Sequence, residues 1–232
     1  LIGFKTILLM QYNKINPSIN YLKHIRYYKQ MHKEGINFIN GVKKNSEESY
    51  NGQTTSQYAD IIKKIIEQNN YRTLLEYGCG KAFYYDNQFV LKNKKINSLK
   101  NYWGVEVRLY DPCFEKFSIL TTKKSDLTIC IDVLEHIPEE DINWVLKEFF
   151  KLTKSMVFMN IACVPAVALL PNGKNAHINI QTPKYWHEKL MEMKKMYKNI
   201  KIICCYSLKS ESSDSKKKFM FSNIDDNIKK YL

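Results

Sequence analysis

The chain has 232 residues, of which 44% are hydrophobic, and this length and composition fit one globular domain with a buried core rather than two. Its formal net charge is +13, but only three of its basic residues are arginines, namely Arg26, Arg72 and Arg108. Because arginine is the preferred side chain for contacting phosphates and guanine edges, the charge is weak support for specific nucleic-acid binding. No apolar run is long enough to span a bilayer.

The N-terminus and the cysteines indicate the compartment. The first ten residues lack a small-residue cleavage site, so we predict no signal peptide, and Met10 is a possible start of the chain. The six cysteines form no CxxC pair and lie mostly in apolar, strand-like runs. This pattern favours buried free thiols in a reducing cytosol over disulfides or zinc. We therefore expect a cytoplasmic protein without a metal site.

Residues 1–50 are polar and weakly periodic, and we predict that they form an N-terminal appendage, either a lid over the substrate or an arm. Within this part, residues 21–35 predict a short helix, followed by a loop. Residues 51–232 are predicted to form the main domain. The first element of this domain is a helix from Ser56, with apolar residues at helical spacing on one face.

Beyond that helix, strand-like runs alternate with segments that can form helices. The predicted strands are residues 73–77, 102–109, 117–120, 127–133, 155–163, 200–208 and 218–222. Helices are predicted after the first strand, over residues 139–152 and from residue 183 to about 198, and residues 210–217 form a polar turn before the last strand. The alternation predicts an α/β fold with a mostly parallel sheet and an antiparallel edge strand.

The strongest chemical signal is a glycine loop after the first predicted strand, where residues 76–80 read Glu-Tyr-Gly-Cys-Gly. Glycines at positions 78 and 80 allow the backbone to turn sharply and a ligand to approach closely, where a Cβ would collide. Glu76, at the end of the strand, can orient this loop or meet a cationic amine.

Two further signals lie at the ends of later strands. Asp111 ends the second strand, at the position where a carboxylate accepts hydrogen bonds from ribose hydroxyls in nucleotide-binding folds. An acid followed by proline is also an ordinary turn, so Asp111 alone leaves both interpretations open. Residues 132–137, at the end of the fourth strand, read Asp-Val-Leu-Glu-His-Ile.

Together these three segments resemble class I, or Rossmann-like, S-adenosylmethionine-dependent methyltransferases. That family carries an acidic-x-Gly-x-Gly loop and often the D-V-L-E-H-I segment. A more specific likeness is to small phage and marine-bacterial methyltransferase-domain proteins, which share the Tyr-Gly-Cys-Gly-Lys loop and a segment like residues 170–177, Leu-Pro-Asn-Gly-Lys-Asn-Ala-His. The resemblance covers roughly residues 50–190. It implies a seven-stranded, Rossmann-like sheet with helices on both faces, and S-adenosyl-L-methionine as the cofactor.

The resemblance also assigns a cofactor site. The glycine loop would hold the methionine part, the acid after the second strand would bind the ribose hydroxyls, and two residues after the fourth strand would border the cofactor. The residues implied are Glu76, Tyr77, Gly78, Cys79, Gly80, Asp111, Asp132 and Val133. Ala82 stands where many members have a third glycine. The adenine contact is unassigned, with Asp126 the only carboxylate in the adjacent loop.

The acceptor side is predicted from residues 162–177, which follow the fifth strand and change from apolar to polar. His177 is the candidate catalytic base, because an imidazole exchanges protons near neutral pH. Asn175 is the candidate that fixes the acceptor. The alternative interpretation, which the residue type favours, is that His177 is a loop histidine bonded to backbone. Glu135-His136 can be an acid/base pair or can pack at a helix start.

We therefore predict a methyltransferase that acts on an oxygen or nitrogen of an unidentified small-molecule or saccharide-like acceptor, with S-adenosyl-L-homocysteine as the product. The sequence has no [DNS]-P-P-[YFW] motif after the fourth strand, which argues against methylation of adenine or glutamine nitrogen. It has no Pro-Cys pair there either, which argues against cytosine C5 chemistry. Two alternatives remain, an RNA or DNA methyltransferase and a non-catalytic S-adenosylmethionine-binding protein. The oligomeric state is left open.

Overall fold

The computed structural model describes residues 12–209, 218–224 and 231. The helices in this part of the chain are α1 (Ile19–Glu34), α2 (Gln53–Gln57), α3 (Ala59–Asn69), α4 (Leu99–Trp103), α5 (Glu139–Lys151) and α6 (Pro183–Met196). The strands are β1 (Ile36–Phe38), β2 (Lys43–Lys44), β3 (Thr73–Tyr77), β4 (Phe89–Leu91), β5 (Lys94–Ile96), β6 (Glu106–Tyr110), β7 (Ser125–Ile131), β8 (Thr153–Ala162), β9 (Ala168–Leu169), β10 (Lys201–Leu208) and β11 (Lys218–Asn223). None of these helices is long and apolar enough to cross a bilayer. Met10 and the predicted turn 210–217 lie outside the described residues.

Six strands form the central sheet, in the order β11-β10-β8-β7-β3-β6. Five of them run parallel, and β11 pairs antiparallel with β10 at one edge. The prediction of a mixed α/β fold with a mostly parallel, Rossmann-like sheet is confirmed. From β3 the chain goes first to β6 on one side and then to β7 on the other, so the strand order reverses beside β3. Ligands bind in the crevice that such a reversal opens at the carboxyl ends of the strands.

The predicted count of seven strands is wrong for the described residues. Residues 117–120, the predicted third strand, lie in a 3-10 turn (Glu115–Phe117) and the loop after it, and Ile119 is 87% exposed. Only residues 111–124 connect β6 to β7. They are too few for an added strand and its return, because a single parallel crossover takes a dozen or more residues. The other antiparallel strands form two separate small sheets, β2-β1-β9 and β4-β5.

Three further segments differ from their predicted structure. Residues 102 and 103, predicted as strand, belong to α4, because Ser98 caps this helix through its side chain and Gly104 ends it in the left-handed conformation. The helix predicted after the glycine loop is a 3-10 turn, Phe83–Tyr85, followed by the β4–β5 hairpin. The predicted loop after α1 contains the short strands β1 and β2.

Helices cover both faces of the central sheet, because the side chains of its buried strands alternate between two cores. In β8, Val157 and Met159 pack in the core that contains α5 and α6. Met156 and Phe158 pack in the opposite core, which contains α3 and α4. A strand buried on both faces has apolar side chains on both of them. Hydrophobic residues therefore predominate in the sequences of β7, β8 and β10.

Ser18, just before α1, holds this helix against the rest of the protein. Its side chain accepts a hydrogen bond from the N–H of Tyr21 and so caps α1, and its hydroxyl donates to Oδ2 of Asp141. The Ser18 N–H donates to Oδ1 of Asp141 at 3.0 Å. Asp141 is buried in the first turn of α5, so the N-terminal helix is bonded to a core helix. The predicted division of the chain at residue 50 stays a prediction.

Candidate functional site

A cavity of about 270 Å³ opens at the carboxyl ends of β3, β6 and β7. One wall consists of the residues that follow these strands, and the other consists of α1 and the segment that leads into α2. Glu76 and Asn175, two of the predicted site residues, are not on the wall. The other predicted site residues all line it, namely Tyr77, Gly78, Cys79, Gly80, Asp111, Asp132, Val133 and His177. Their binding roles stay predictions.

The loop after β3 packs so closely against its neighbours that it requires glycine. Gly78 has a φ of 87°, and a Cβ there would lie 2.3 Å from Cγ2 of Val133. Gly80 has a φ of 58°, and a Cβ there would lie 2.4 Å from the carbonyl oxygen of Tyr50. Both positions therefore combine left-handed backbone with a lack of space for a side chain. The absent side chain at Gly78 lets the ends of β3 and β7 approach each other at the cavity.

The backbone N–H groups of this loop are already used inside the protein. Gly78 and Cys79 both donate to the carbonyl oxygen of Tyr110, at 2.7 and 3.0 Å, and Gly80 donates to Oδ2 of Asp111 at 2.8 Å. The described residues after the loop form a 3-10 turn rather than an α-helix. A phosphate-binding loop instead points its N–H groups, and a helix N-terminus, at the ligand. The loop is therefore not arranged to hold a phosphate.

Asp111 follows β6 and supports the glycine loop from the side. Its Oδ2 accepts the N–H of Gly80, and its Oδ1 accepts the N–H of Cys113 at 2.8 Å. Burial raises the pKa of the Asp111 carboxyl, and these backbone hydrogen bonds lower it in part. A carboxylate oxygen has two lone pairs, so both oxygens retain the capacity to accept a bond from a ligand in the cavity.

Asp132 has an unfavourable backbone conformation at the end of β7. Its φ is 52°, in the left-handed region, which costs an ordinary L-residue about 1–2 kcal/mol and which aspartate tolerates better than most. Its N–H donates to the carbonyl oxygen of Asn160 in β8 at 3.0 Å, which holds the turn in place. Such conformations in residues other than glycine cluster at functional sites. Here the turn places Asp132 and Val133 on the cavity wall.

Glu76 lies beneath the cavity wall and is 1% exposed. Its carboxyl accepts a hydrogen bond from the hydroxyl of Thr55 in α2. Burial raises the pKa of Glu76 from 4.5 to about 7, and the bond from Thr55 lowers it in part. Glu76 is therefore not on the cavity wall, and its hydrogen bond connects the end of β3 to α2.

His177 lies on the cavity wall, in the segment after β9. Its Nδ1 lies 2.6 Å from the carbonyl oxygen of Val164, and because a carbonyl only accepts, Nδ1 carries the proton of the neutral ring. Its Nε2 lies 4.0 Å from Oε1 of Glu135.

Asn175 bonds to its own loop instead of the cavity. Its side-chain N–H donates to the carbonyl oxygen of Ala166 at 2.8 Å, and its Oδ1 accepts the N–H of Ala166 at 2.9 Å. Its Oδ1 also accepts the N–H of His177 at 3.0 Å, so Asn175 positions the histidine.

Helix α1, in the segment predicted as a lid or an arm, provides one wall of the cavity, and none of its residues was predicted as part of the site. Tyr21, Ile25, Tyr28 and His32 line the cavity, and their spacing of three or four residues along one helix face could have identified it. The hydroxyl of Tyr28 lies 2.6 Å from Nδ1 of His136, which also lines the cavity. Burial lowers the pKa of His136 to about 3, so this ring is neutral at physiological pH. α1 is therefore part of the candidate site.

The ionisable side chains on the cavity wall differ from those of the protein as a whole. Within the described residues no lysine or arginine lines it, although the chain has a formal net charge of +13. Two carboxylates line it, Asp111 and Asp132. Burial lowers the pKa of His32 to about 4, as burial does for His136, so these rings add no positive charge near neutral pH. Such a wall favours a cationic or neutral ligand over one that carries phosphate.

Asp126, the carboxylate considered for the adenine amine, lies at the opposite edge of the sheet. Its Oδ2 accepts the N–H groups of Arg72 and Thr73, both at 2.9 Å, and its Oδ1 pairs with Nζ of Lys154 at 3.1 Å. Thr73 and Lys154 stand at the amino ends of β3 and β8, whereas the cavity lies at the carboxyl ends. Asp126 does not reach the cavity, and the adenine contact stays unassigned.

No protein-family model matches the chain, and no curated protein matches it. A functional conclusion therefore depends on the geometry and the charge of the site. Its main features are the tight glycine loop, the two carboxylates and the aromatic wall of α1.

Proposed function

We propose that this protein is an S-adenosyl-L-methionine-dependent methyltransferase that binds its cofactor in the cavity beside β3. The observation that carries this proposal is a cleft at the strand-order reversal with two carboxylates and, among the described residues, no lysine or arginine on its wall. The cofactor has a sulfonium, an ammonium group and one carboxylate, so its net charge is positive and it has no phosphate, which complements this wall. A dinucleotide would place phosphates against carboxylates and against N–H groups that are already bonded.

In this proposal the loop backbone around Gly78 contacts the methionine part of the cofactor. Asp111 accepts bonds from the ribose hydroxyls, and Asp132 and Val133 border the ligand. Glu76 acts from below, through the conformation of the loop. Because the sulfonium is already activated, the protein contributes mainly by placing the acceptor in line with the methyl group.

The acceptor would enter between α1 and the end of β7, where aromatic side chains and His177 form the wall. We propose an oxygen or nitrogen of a small-molecule or saccharide-like compound as the acceptor, and S-adenosyl-L-homocysteine as the product. An apolar pocket with a few polar groups at one end suits such a molecule. His177 lies on this side of the cavity and would assist removal of the acceptor proton, either as a base through Nε2 or as the ligand of a metal ion.

Titration calorimetry with S-adenosyl-L-methionine tests the cofactor site. We expect Asp111→Asn and Asp132→Asn to weaken binding by about 1–3 kcal/mol, the scale of losing hydrogen bonds to a charged acceptor. Asp126→Asn is the matched control, because this carboxylate lies at the other edge of the sheet, and its affinity should equal that of the wild type. Tighter binding of a nicotinamide dinucleotide, or equal effects of all three substitutions, would contradict the proposal.

A second measurement distinguishes a transferase from a protein that only binds the cofactor. Release of S-adenosyl-L-homocysteine that depends on an added acceptor indicates transfer. A screen should include hydroxylated small molecules, saccharides and RNA, since the net charge of the chain leaves a nucleic-acid acceptor as the alternative. Cofactor binding without turnover on any acceptor class would support the non-catalytic alternative.

A cytoplasmic location remains part of this proposal. All six cysteines are free thiols in the structure, and four of them are buried. Free thiols are the usual state in a reducing compartment.

A further inference from the structure

Three side chains of metal-ligand type meet at one side of the cavity. Glu135 and His136 lie in the 3-10 turn after β7, Leu134–His136, and His177 comes from the segment after β9. One ligand atom from each of the three lies within 4.8 Å of the others. Glu135 is fully buried, and both histidines line the cavity. Two chain segments more than 40 residues apart therefore bring a carboxylate and two imidazoles to one point.

Backbone carbonyls lie beside Nδ1 of both imidazoles. Nδ1 of His177 lies 2.6 Å from the Val164 carbonyl oxygen, and since a carbonyl only accepts, the proton of the neutral ring lies on Nδ1 and the lone pair on Nε2. Nδ1 of His136 lies 3.0 Å from the Ala176 carbonyl oxygen and 2.6 Å from the Tyr28 hydroxyl, and it carries the proton when that hydroxyl donates to the same carbonyl, 3.1 Å away. A histidine that binds a metal usually donates its other N–H to a carbonyl or carboxylate in this way, which fixes the ring orientation.

The carboxylate is held in a similar manner. Oε1 of Glu135 accepts the N–H of Ala162 at 3.0 Å and lies 4.0 Å from Nε2 of His177. A buried carboxylate is stabilised by a cation beside it, and a metal ion bound between Oε1 and Nε2 would supply that charge. Ligand atoms of a tetrahedral ion with bonds of about 2.0–2.2 Å lie about 3.4 Å apart, so the three groups need to close by about 1 Å.

We propose that Glu135, His136 and His177 bind one divalent transition-metal ion, with at least one coordination position open to the cavity. Two imidazoles and one carboxylate suit zinc, iron(II), manganese or cobalt, whereas magnesium and calcium prefer an all-oxygen set. Three protein ligands with an open position are the arrangement of catalytic metal sites rather than structural ones. The open position faces the cavity because both histidines lie on its wall.

The position of this ion indicates which class of methyl acceptor the protein uses. This part of the inference rests on the proposed methyltransferase function. An acceptor hydroxyl bound to the ion has a lowered pKa and gives its proton to water. The oxygen lone pair then forms the bond to the methyl carbon, while the bond from that carbon to sulfur breaks and sulfur keeps the electron pair. The preferred acceptor is therefore a hydroxyl compound, and because such an ion can expand to five ligands, one with an adjacent oxygen that also binds the ion, such as a vicinal diol.

Metal binding to the chelator-treated full chain tests the site without any methyl donor. Cobalt(II) titration followed by visible absorption, with zinc titration by calorimetry, should show one site per chain. We expect His177→Ala and Glu135→Gln to lower zinc affinity at least about 100-fold, because loss of a second-shell partner alone costs about 10–100-fold. His187→Ala, in α6 and not on the cavity wall, is the matched control and should keep wild-type affinity.

Equal metal affinity of the wild type, His177→Ala and Glu135→Gln would overturn the metal site. So would a wild type that shows no cobalt spectrum at stoichiometric concentration, or one that magnesium saturates equally well. If both variants fail to fold, the wild type and His187→Ala still test whether the protein binds zinc, since zinc that binds the native state must raise their melting temperature. An unchanged melting temperature would overturn the metal site. Intact S-adenosyl-L-methionine binding without metal binding would refute this inference and leave the proposed function standing.

Discussion

At the scale of single residues, Gly78 shows how closely the loop after β3 packs against the end of β7. We expect Gly78→Ala to destabilise the protein and to abolish binding of S-adenosyl-L-methionine, because the new Cβ would lie 2.3 Å from Cγ2 of Val133. Gly104→Ala is the matched control, since Gly104 also has a positive φ, 64°, but has nothing within 4 Å of the added Cβ. Overpacking costs typically about 1–3 kcal/mol, so urea denaturation should show Gly78→Ala to be less stable than the control by this amount. Equal stability of the two variants, with binding retained, would contradict the close packing.

Glu76 gives the protein a specific dependence of stability on pH. Its pKa is 4.5 ordinarily and about 7 in the folded protein, where burial disfavours the charged form. Because its pKa is raised on folding, Glu76 binds a proton more tightly in the folded state than in the unfolded state. Compared with a carboxyl that stays charged, the protonated Glu76 makes the folded state more stable, and this stabilisation is fully present below about pH 4.5. It is lost as the pH rises through about 7.

We therefore expect the free energy of unfolding of the wild type to fall by about 3 kcal/mol relative to Glu76→Gln between pH 4.5 and pH 8, since one pKa unit corresponds to about 1.4 kcal/mol. Urea denaturation at a series of pH values measures this difference. Glu188→Gln, at an exposed position in α6, controls for general charge effects and should track the wild type. A difference between wild type and Glu76→Gln that stays constant with pH would show that Glu76 does not titrate in this range.

At the scale of elements, α1 depends on one buried pair. Ser18 caps α1 and also donates twice to Asp141 in α5, whereas Thr182 caps α6 through its side chain alone. Loss of a cap costs about 1 kcal/mol, and an incompletely bonded buried carboxylate adds about 1–3 kcal/mol. Ser18→Ala should therefore destabilise the protein by about 2–4 kcal/mol and Thr182→Ala by about 1 kcal/mol in urea denaturation.

The same substitution should affect the candidate site, because Tyr21, Tyr28 and His32 of α1 line the cavity. We expect Ser18→Ala to expose α1 to proteolysis and to weaken binding of S-adenosyl-L-methionine more than Thr182→Ala does. If the two variants lose equal stability and equal affinity, the contact with Asp141 does not hold α1 in place.

At the scale of the whole molecule, the protein is strongly basic, whereas its cavity wall is not. Within the described residues no lysine or arginine lines the cavity, and the chain as a whole carries a formal charge of +13. A lysine-rich surface attracts nucleic acid without regard to sequence, through release of counterions.

We therefore expect weak association with RNA and DNA that falls steeply with salt and does not depend on sequence. Fluorescence anisotropy with several unrelated oligonucleotides at ~50 mM and ~200 mM salt measures both properties. Saturating S-adenosyl-L-methionine should leave the association unchanged, because no lysine or arginine among the described residues lines the cavity. Nanomolar binding to one defined site at physiological salt would instead favour the nucleic-acid methyltransferase alternative.

The amino-acid sequence by itself determined the α/β class and most of the sheet. β3, β7, β8 and β10 are buried on both faces, and they are recognisable because each contains a short run in which hydrophobic residues predominate. The glycine loop and Asp111 were predictable as neighbours for a similar reason, since carboxyl ends of adjacent parallel strands meet at one edge. Helix bounds followed from local signals, as with Thr182 and Pro183 at the start of α6.

Only the tertiary structure decided what these segments face. The number of strands depended on the length of the β6–β7 connection, which is too short for the strand that residues 117–120 suggested. Contacts between residues far apart in the chain place Glu76 beneath the wall and α1 across the cavity. Asn175 is held by Ala166 of the same loop, so the folding of that loop turns it away from the cavity. The cluster of Glu135, His136 and His177 is of the same kind. Local sequence sets backbone conformation and burial, but which side chains converge is set by packing, and packing is a property of the whole fold.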